Sequence, residues 1–280
     1  MDSAVPIGHC WLSRTGVPMS FLHAINPLYS LSGLFIGALV GMTGVGGGSL
    51  MTPLLVLLFG IHPATAVGTD LLYAACTKSV GTLVHGAAKT VEWRIVGLLA
   101  CGSLPATAAT LYLLVQLGSP SDSVSRLISV ILGVALLLTA LSLLLRERIT
   151  AWAVRQGGRV SPQRAAVLTV VTGVALGVFV SISSVGAGAI GVTVLILLYP
   201  TLPTARIVGS DIAHAVPLTL VAGLGHWLIG SVNWALFGSL LVGSIPGVIV
   251  GSLLAARVSE RVLRPVLAAV LVLVGVKLVT

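Results

Sequence analysis

Charge is scarce in this sequence. Only 8% of its 280 residues are Asp, Glu, Lys or Arg, and only 7 are acidic. An average soluble domain carries roughly 25% charged residues, so a soluble globular chain is excluded. Cysteine is scarce too. Cys10, Cys76 and Cys101 are odd in number and widely spaced, which gives no disulfide framework and predicts buried free thiols. The chain also lacks a phosphate loop, a His-Glu zinc motif and a positioned nucleophile with its base. Direct ATP use and hydrolytic chemistry therefore have no sequence support, and neither an enzyme nor a cofactor is expected.

What is abundant is apolar surface. Hydrophobic residues make up 56% of the chain and the mean hydropathy is +1.11. The apolar runs are too long and too unalternating for an outer-membrane barrel, so an all-α membrane protein is expected. The net charge of +8 is no nucleic-acid signal, because the positive residues flank apolar segments, where they set topology. Residues 1–27 are mildly polar and lack the basic start and compact apolar core of a signal peptide. Met19 is a second candidate for the start of translation.

Ten apolar segments can be read: Leu28–Met42, Ser49–Phe59, Ala64–Gly86, Trp93–Leu117, Val124–Leu145, Ala165–Ser183, Gly188–Leu198, Ala205–Ile229, Trp234–Ala256 and Val262–Val279. An arginine-rich linker, 146–164, divides them into one five-segment unit at 28–145 and another at 165–280. Ser49–Phe59 and Gly188–Leu198 are too short to cross a hydrocarbon core, which takes about 20 helical residues. Each follows a small-residue break, Gly41-Met42-Thr43-Gly44-Val45-Gly46-Gly47-Gly48-Ser49 in the first half and Ser181-Ile182-Ser183-Ser184-Val185-Gly186-Ala187-Gly188-Ala189 in the second. Glycine runs interrupt helices. At membrane depth an interrupted backbone survives only where protein buries it or where it lines a wet cavity.

The halves match in register. Gly37, Val40, Val45, Gly46 and Gly48 lie about 140 positions before Gly177, Val180, Val185, Gly186 and Gly188. Past one extra residue, Gly68-Thr69-Asp70 matches Gly209-Ser210-Asp211, and His85 matches His226. Val91 and Trp93 match Val232 and Trp234, and Gly102-Ser103-Leu104-Pro105 matches Gly243-Ser244-Ile245-Pro246. So many rare residues in one register indicate duplication. With the linker inside, Lys89, Arg94, Arg206, Arg257, Arg261 and Arg264 fall inside with it, and only Arg14, Arg126 and Lys277 lie outside. Both termini are then extracytoplasmic. An odd segment count inverts the second repeat relative to the first, and inverted repeats with broken helices around a midplane site are a recurring secondary-transporter plan.

The motif from Gly37 to Gly48, followed by Pro53, His62-Pro63 and Ala64-Thr65-Ala66-Val67-Gly68-Thr69-Asp70, with a weaker second copy, resembles the TauE/SafE family of sulfite and sulfonate exporters. The resemblance runs from about Leu31 to the C-terminus. The second copy has Ser184 for Gly44 and Ala187 for Gly47. The resemblance implies secondary active export of sulfite or an organosulfonate across a bacterial cytoplasmic membrane. The alternatives are transport, including uptake, of another small solute, and a membrane enzyme or assembly factor.

The expected substrate site lies at the two breaks. A helix N-terminus carries roughly half a positive charge and binds anions. Gly44, Gly46, Gly47, Gly48 and Ser49 would form one wall of it, and Ser184, Gly186 and Gly188 the other. Close packing of glycine is the competing explanation. Lys78 is a lysine deep in a segment, suited to balance an anion or to pair with a carboxylate. Thr69 and Ser210 offer hydroxyls to an oxyanion. Asp70 and Asp211 either cap broken helices or serve gating and ion coupling, with a proton or Na⁺ as the coupled ion. His85 and His226 fall near opposite membrane faces, and His62 and His214 at other segment ends. None stands at metal-ligand spacing with a carboxylate or thiol, so no metal is expected. Trp93 and Trp234 read as interfacial anchors, and Pro105 and Pro246 as kinks. Expected partners are a small anion and the lipid bilayer, with no nucleic acid; a homo-oligomer is left open.

Overall fold

The computed structural model describes residues 26–43, 48–116, 122–156, 161–254 and 260–280. Those residues form helices and no strand. Helix α1 spans Pro27–Thr43, α2 Gly48–Leu57, α3 Pro63–Ala87, α4 Trp93–Gln116 and α5 Asp122–Gln156. The second half gives α6 at Pro162–Ser183, α7 at Ala189–Leu198, α8 at Thr204–Leu228, α9 at Trp234–Leu254 and α10 at Glu260–Val279. The ten apolar segments are thus ten helices among the described residues, most bounds agreeing within a few residues. The exception is α5, which runs on to Gln156 and so carries the first part of the arginine-rich linker. Arg146, Glu147, Arg148 and Ala151 are good helix formers, so the backbone pattern continues past the point where the apolar run stops.

Among the described residues, five helices are long and apolar enough to cross a membrane: α4, most of α5, α6, α8 and most of α9. Apolar side chains such as Leu83, Val167, Leu253 and Leu273 cover the outside of the bundle, as a lipid-facing surface requires. The two short helices, α2 and α7, have 10 residues each and stop well short of the span a bilayer needs.

The packing contacts come in matched pairs. Helix α1 packs along α9, and α6 along α4; α3 packs on α8, and α5 on α10. Each close crossing occurs twice with the partners exchanged. A Cβ on Gly33 would run into the Leu240 carbonyl, and one on Gly173 into that of Leu99. Gly68 lies against the carbonyl of Ser231, and Gly209 against that of Thr90; Gly102 lies against Val170, and Gly243 against Ser30. Small residues let transmembrane backbones approach this closely. The first and second halves of the chain interlock, each supplying the partner the other needs.

Two thiols depart from expectation. Cys76 and Cys101 are free but exposed. Each points to the outer face of its helix, where a small apolar thiol suits lipid as well as it suits a core. Cys10 lies outside the described residues.

Candidate functional site

The first break falls largely outside the described residues, so the placement of Gly44, Gly46 and Gly47 is not part of the geometry below; Gly48 and Ser49 open α2. The second break is described in full. Helix α6 ends on Ser184, whose φ of 59° is left-handed, and its N–H closes the helix on the Val180 carbonyl at 2.8 Å. A non-glycine residue pays for this backbone conformation; the position in the first half is Gly44. Gly186 and Gly188 then take φ values of 117° and 119°, angles that L side chains avoid. They turn the chain into α7, and Gly188 is its N-cap, without a capping side chain of its own.

A carboxylate stands near the start of each short helix. Thr52, in the first half of α2, donates its hydroxyl to Asp70 Oδ2 at 2.5 Å, and the Thr52 backbone N–H faces the same group. The Ser184 hydroxyl, from the opposite break, lies beside Asp70 as well. Asp211 sits against Gly191 in the first turn of α7, so close that a Cβ there would strike Oδ1, and it faces the Gly188 N–H. Both aspartates are fully buried. Asp211 thus stands at the first turn of α7, where the helix dipole places positive potential, whereas Asp70 meets α2 further in, at Thr52.

Lys78 is buried between them. It is 8% exposed and interacts electrostatically with both Asp211 and Asp70, yet the ion pairs closer than 4 Å among the described residues are Arg206 with Glu92 and Arg264 with Glu147. Arg146 approaches Asp211 from α5. Lys78 thus joins the two repeats electrostatically without a tight contact to either aspartate.

Several buried polar atoms near these charges have no hydrogen-bond partner among the described residues. They include Asp70 Oδ1, both Asp211 oxygens, Ser184 Oγ, Tyr73 OH, Ser244 Oγ and His214 Nδ1. Native proteins satisfy most buried polar atoms, and a cluster of exceptions calls for an explanation. Here they lie beside one another, Ser184 next to Asp70, Tyr73 next to Ser244 and the Gly188 N–H next to Asp211, and with Lys78 they form one buried polar cluster inside an apolar bundle.

Some side chains fall where the sequence reading did not put them. His214 is not at a segment end. It lies inside α8, fully buried, with Nε2 2.8 Å from Ser103 Oγ and the Lys78 charge nearby. Tyr73, its counterpart in the first half, lies beside Ser244, the counterpart of Ser103. The signal was present: each aspartate is followed three residues later by an aromatic polar side chain, and i,i+3 residues share a helix face. His226 is also buried, bound to the Ser181 carbonyl at 2.8 Å, while His85 meets Thr90 Oγ1 at 2.8 Å. His62 meets Ser125. Thr69 and Ser210 both have protein partners across the repeats: Asn233 N–H donates to Thr69 at 3.1 Å, and Glu92 N–H to Ser210 at 2.8 Å. They fix the loops that begin α9 and α4. Trp93 and Trp234 open those helices and are largely exposed, and Pro105 and Pro246 lie within them. No group of three or more His, Cys, Asp or Glu residues placed to hold a metal occurs among the described residues.

Comparison with known proteins places this arrangement. The family model for the sulfite exporter TauE/SafE matches residues 29–278. The chain belongs to the TauE/SafE family. A relative from Bacillus subtilis (strain 168), the probable membrane transporter protein YjnA, is 39% identical over 250 residues, covering 89% of this chain and 98% of the relative. A second from the same organism, the probable membrane transporter protein YdhB, is 28% identical over 211 residues, 74% of this chain and 80% of the relative. A probable membrane transporter protein of Xylella fastidiosa (strain 9a5c) is 28% identical over 209 residues, 73% and 75% of the two chains. No solved structure matches. As a TauE/SafE protein with helices of this length and composition, the chain is an integral membrane transporter, working in a lipid bilayer on a small-molecule substrate.

Proposed function

We propose that this TauE/SafE protein is a secondary active transporter that exports sulfite or an organosulfonate across the bacterial cytoplasmic membrane. The observation that carries the reading is Lys78: one buried lysine held between two buried carboxylates, at the point where the two short helices begin. An intramembrane charge is costly and marks a substrate or ion pathway. A lysine with no tight partner keeps its charge available to a small anion.

In this reading the substrate oxygens meet Lys78, the Ser184 hydroxyl, and the backbone N–H groups of both breaks at Gly44, Gly46, Gly47, Gly48, Ser49, Gly186 and Gly188. Asp211 stands at the positive end of α7 and Asp70 near that of α2. An entering anion must share those ends with them, which favours a cation on the carboxylates at the same moment. A proton or Na⁺ there would couple the ion gradient to the substrate. Thr69 and Ser210 enter as positioning residues for the adjoining aspartates. The two halves are taken to be inverted in the membrane, with both termini extracytoplasmic, because arginine and lysine then gather inside.

The test is flux. Pure protein in proteoliposomes should move sulfite across the bilayer, and an imposed proton or Na⁺ gradient should change the rate. Absence of flux for sulfite and for organosulfonates, in protein that remains folded, would overturn the substrate assignment.

A further inference from the structure

The interlocked halves are equivalent in sequence position but not in contact. Ser103 and His214 are joined by a 2.8 Å hydrogen bond. Their counterparts, Ser244 and Tyr73, lie side by side with their hydroxyls turned toward interaction, but without the distance and angle of a closed hydrogen bond. Both pairs are fully buried. Each joins a residue of one half to a residue of the other, so each bridges the two repeats.

The surrounding helices follow the same asymmetry. Helix α4 packs broadly on α8, whereas the equivalent contact of α9 with α3 is narrow. Helix α7 is fastened to α5: Ser142 donates to the Ala189 carbonyl at 3.0 Å and its hydroxyl meets Thr193 Oγ1 at 2.6 Å. The equivalent short helix, α2, stands off α10 across an apolar groove of about 420 Å³. Arg206 pairs with Glu92 beside the fastened region, where the matching positions are Thr65 and Asn233. These differences have the same sense: the side of α4, α8, α5 and α7 is the more tightly fastened, although Asp70 is held on α2 by Thr52 and Asp211 has no matching bond among the described residues.

We propose that Ser103–His214 and Tyr73–Ser244 are alternate latches on the two sides of the buried polar cluster, and that transport exchanges them. In the other state Tyr73 OH bonds Ser244 Oγ and the Ser103–His214 bond is broken. Homologous halves that swap conformations need two such contacts of nearly equal strength, each available from the same residues in the opposite arrangement. Tyr73 lies beside Asp70, and His214 beside Lys78, so the proposal rests on this polar cluster being the transport site. Counted from the helix starts in the proposed topology, the shut latch is the one nearer the cytoplasm.

The test uses disulfide trapping in proteoliposomes without substrate, in full-length protein with Cys10, Cys76 and Cys101 replaced by serine. The paired variant Ser103→Cys with His214→Cys should cross-link severalfold faster than Tyr73→Cys with Ser244→Cys, because α4 packs broadly on α8 whereas α9 meets α3 narrowly. Equal rates, or the reverse order, would overturn the assignment of the shut side. The second measurement tests the exchange. Adding His214→Ala to the Tyr73→Cys, Ser244→Cys protein should speed its cross-linking, and adding Ser103→Ala, on a different helix, should do the same. An unchanged rate in both would mean that the two contacts are independent, and the latch proposal would fall. These rates need no substrate, so a wrong substrate assignment appears as absent flux and leaves them unaltered.

Discussion

Thr52 and Asp70 are joined by a 2.5 Å hydrogen bond between the short helix α2 and the long helix α3. Among the described residues it is the one hydrogen bond that the Asp70 carboxylate closes on α2 through a side chain, and Thr52 is itself fully buried. Thr52→Val keeps the shape and removes the donor. It should destabilise the folded protein by about 1.5–3 kcal/mol, the range for hydrogen bonds to charged groups. Thr52→Ser should recover most of that loss. Thermal unfolding in detergent, with the three proteins side by side, measures it.

The Asp211 carboxylate presses on Gly191, where any Cβ would collide with Oδ1. Gly191→Ala should displace the carboxylate from the start of α7 and reduce flux strongly. Gly97, an exposed glycine of α4 with open space around its Cβ position, is the control: Gly97→Ala should leave flux unchanged. Equal flux in the two variants would separate Asp211 from transport.

Orientation can be read from equivalent positions. Ala87 closes α3 and Leu228 closes α8, and both are exposed. In inverted repeats they must face opposite sides of the membrane. In protein freed of its native cysteines, Ala87→Cys should react with a membrane-impermeant thiol reagent from the cytoplasmic side, and Leu228→Cys from outside. Reaction of both from one side would mean the halves are parallel.

The helices were legible in the sequence because each is an apolar run long enough, or pointedly too short, for a bilayer, and because the repeat supplied every signal twice. The end of α5 was not. An apolar run stops where lipid stops, while the backbone hydrogen bonds continue through Arg146–Gln156. The aspartates and Lys78 were legible because charge is rare here and its cost in hydrocarbon singles it out. Their surroundings were not legible. That His214 meets Ser103, or that Thr69 serves Asn233, depends on one half folding against the other, and no local pattern encodes which hydroxyl meets which partner. His214 was misplaced because a histidine reads as polar and so as a segment end, whereas the buried Ser103 hydroxyl makes a site for it inside α8. The cysteines were misread because a membrane bundle has an apolar exterior as well as an apolar core.

The central claim is that Lys78 holds the substrate anion. The most direct measurement is sulfite binding and melting temperature for Lys78→Met and Lys78→Arg, on the same preparations. The account predicts that Lys78→Met binds sulfite at least about tenfold more weakly, the cost of one charge-assisted contact, in protein that still melts near the parent temperature, and that Lys78→Arg keeps part of the affinity. Unchanged sulfite binding in Lys78→Met, with a lowered melting temperature that Asp211→Asn restores, would contradict it and leave Lys78 as a structural counter-charge to the aspartates.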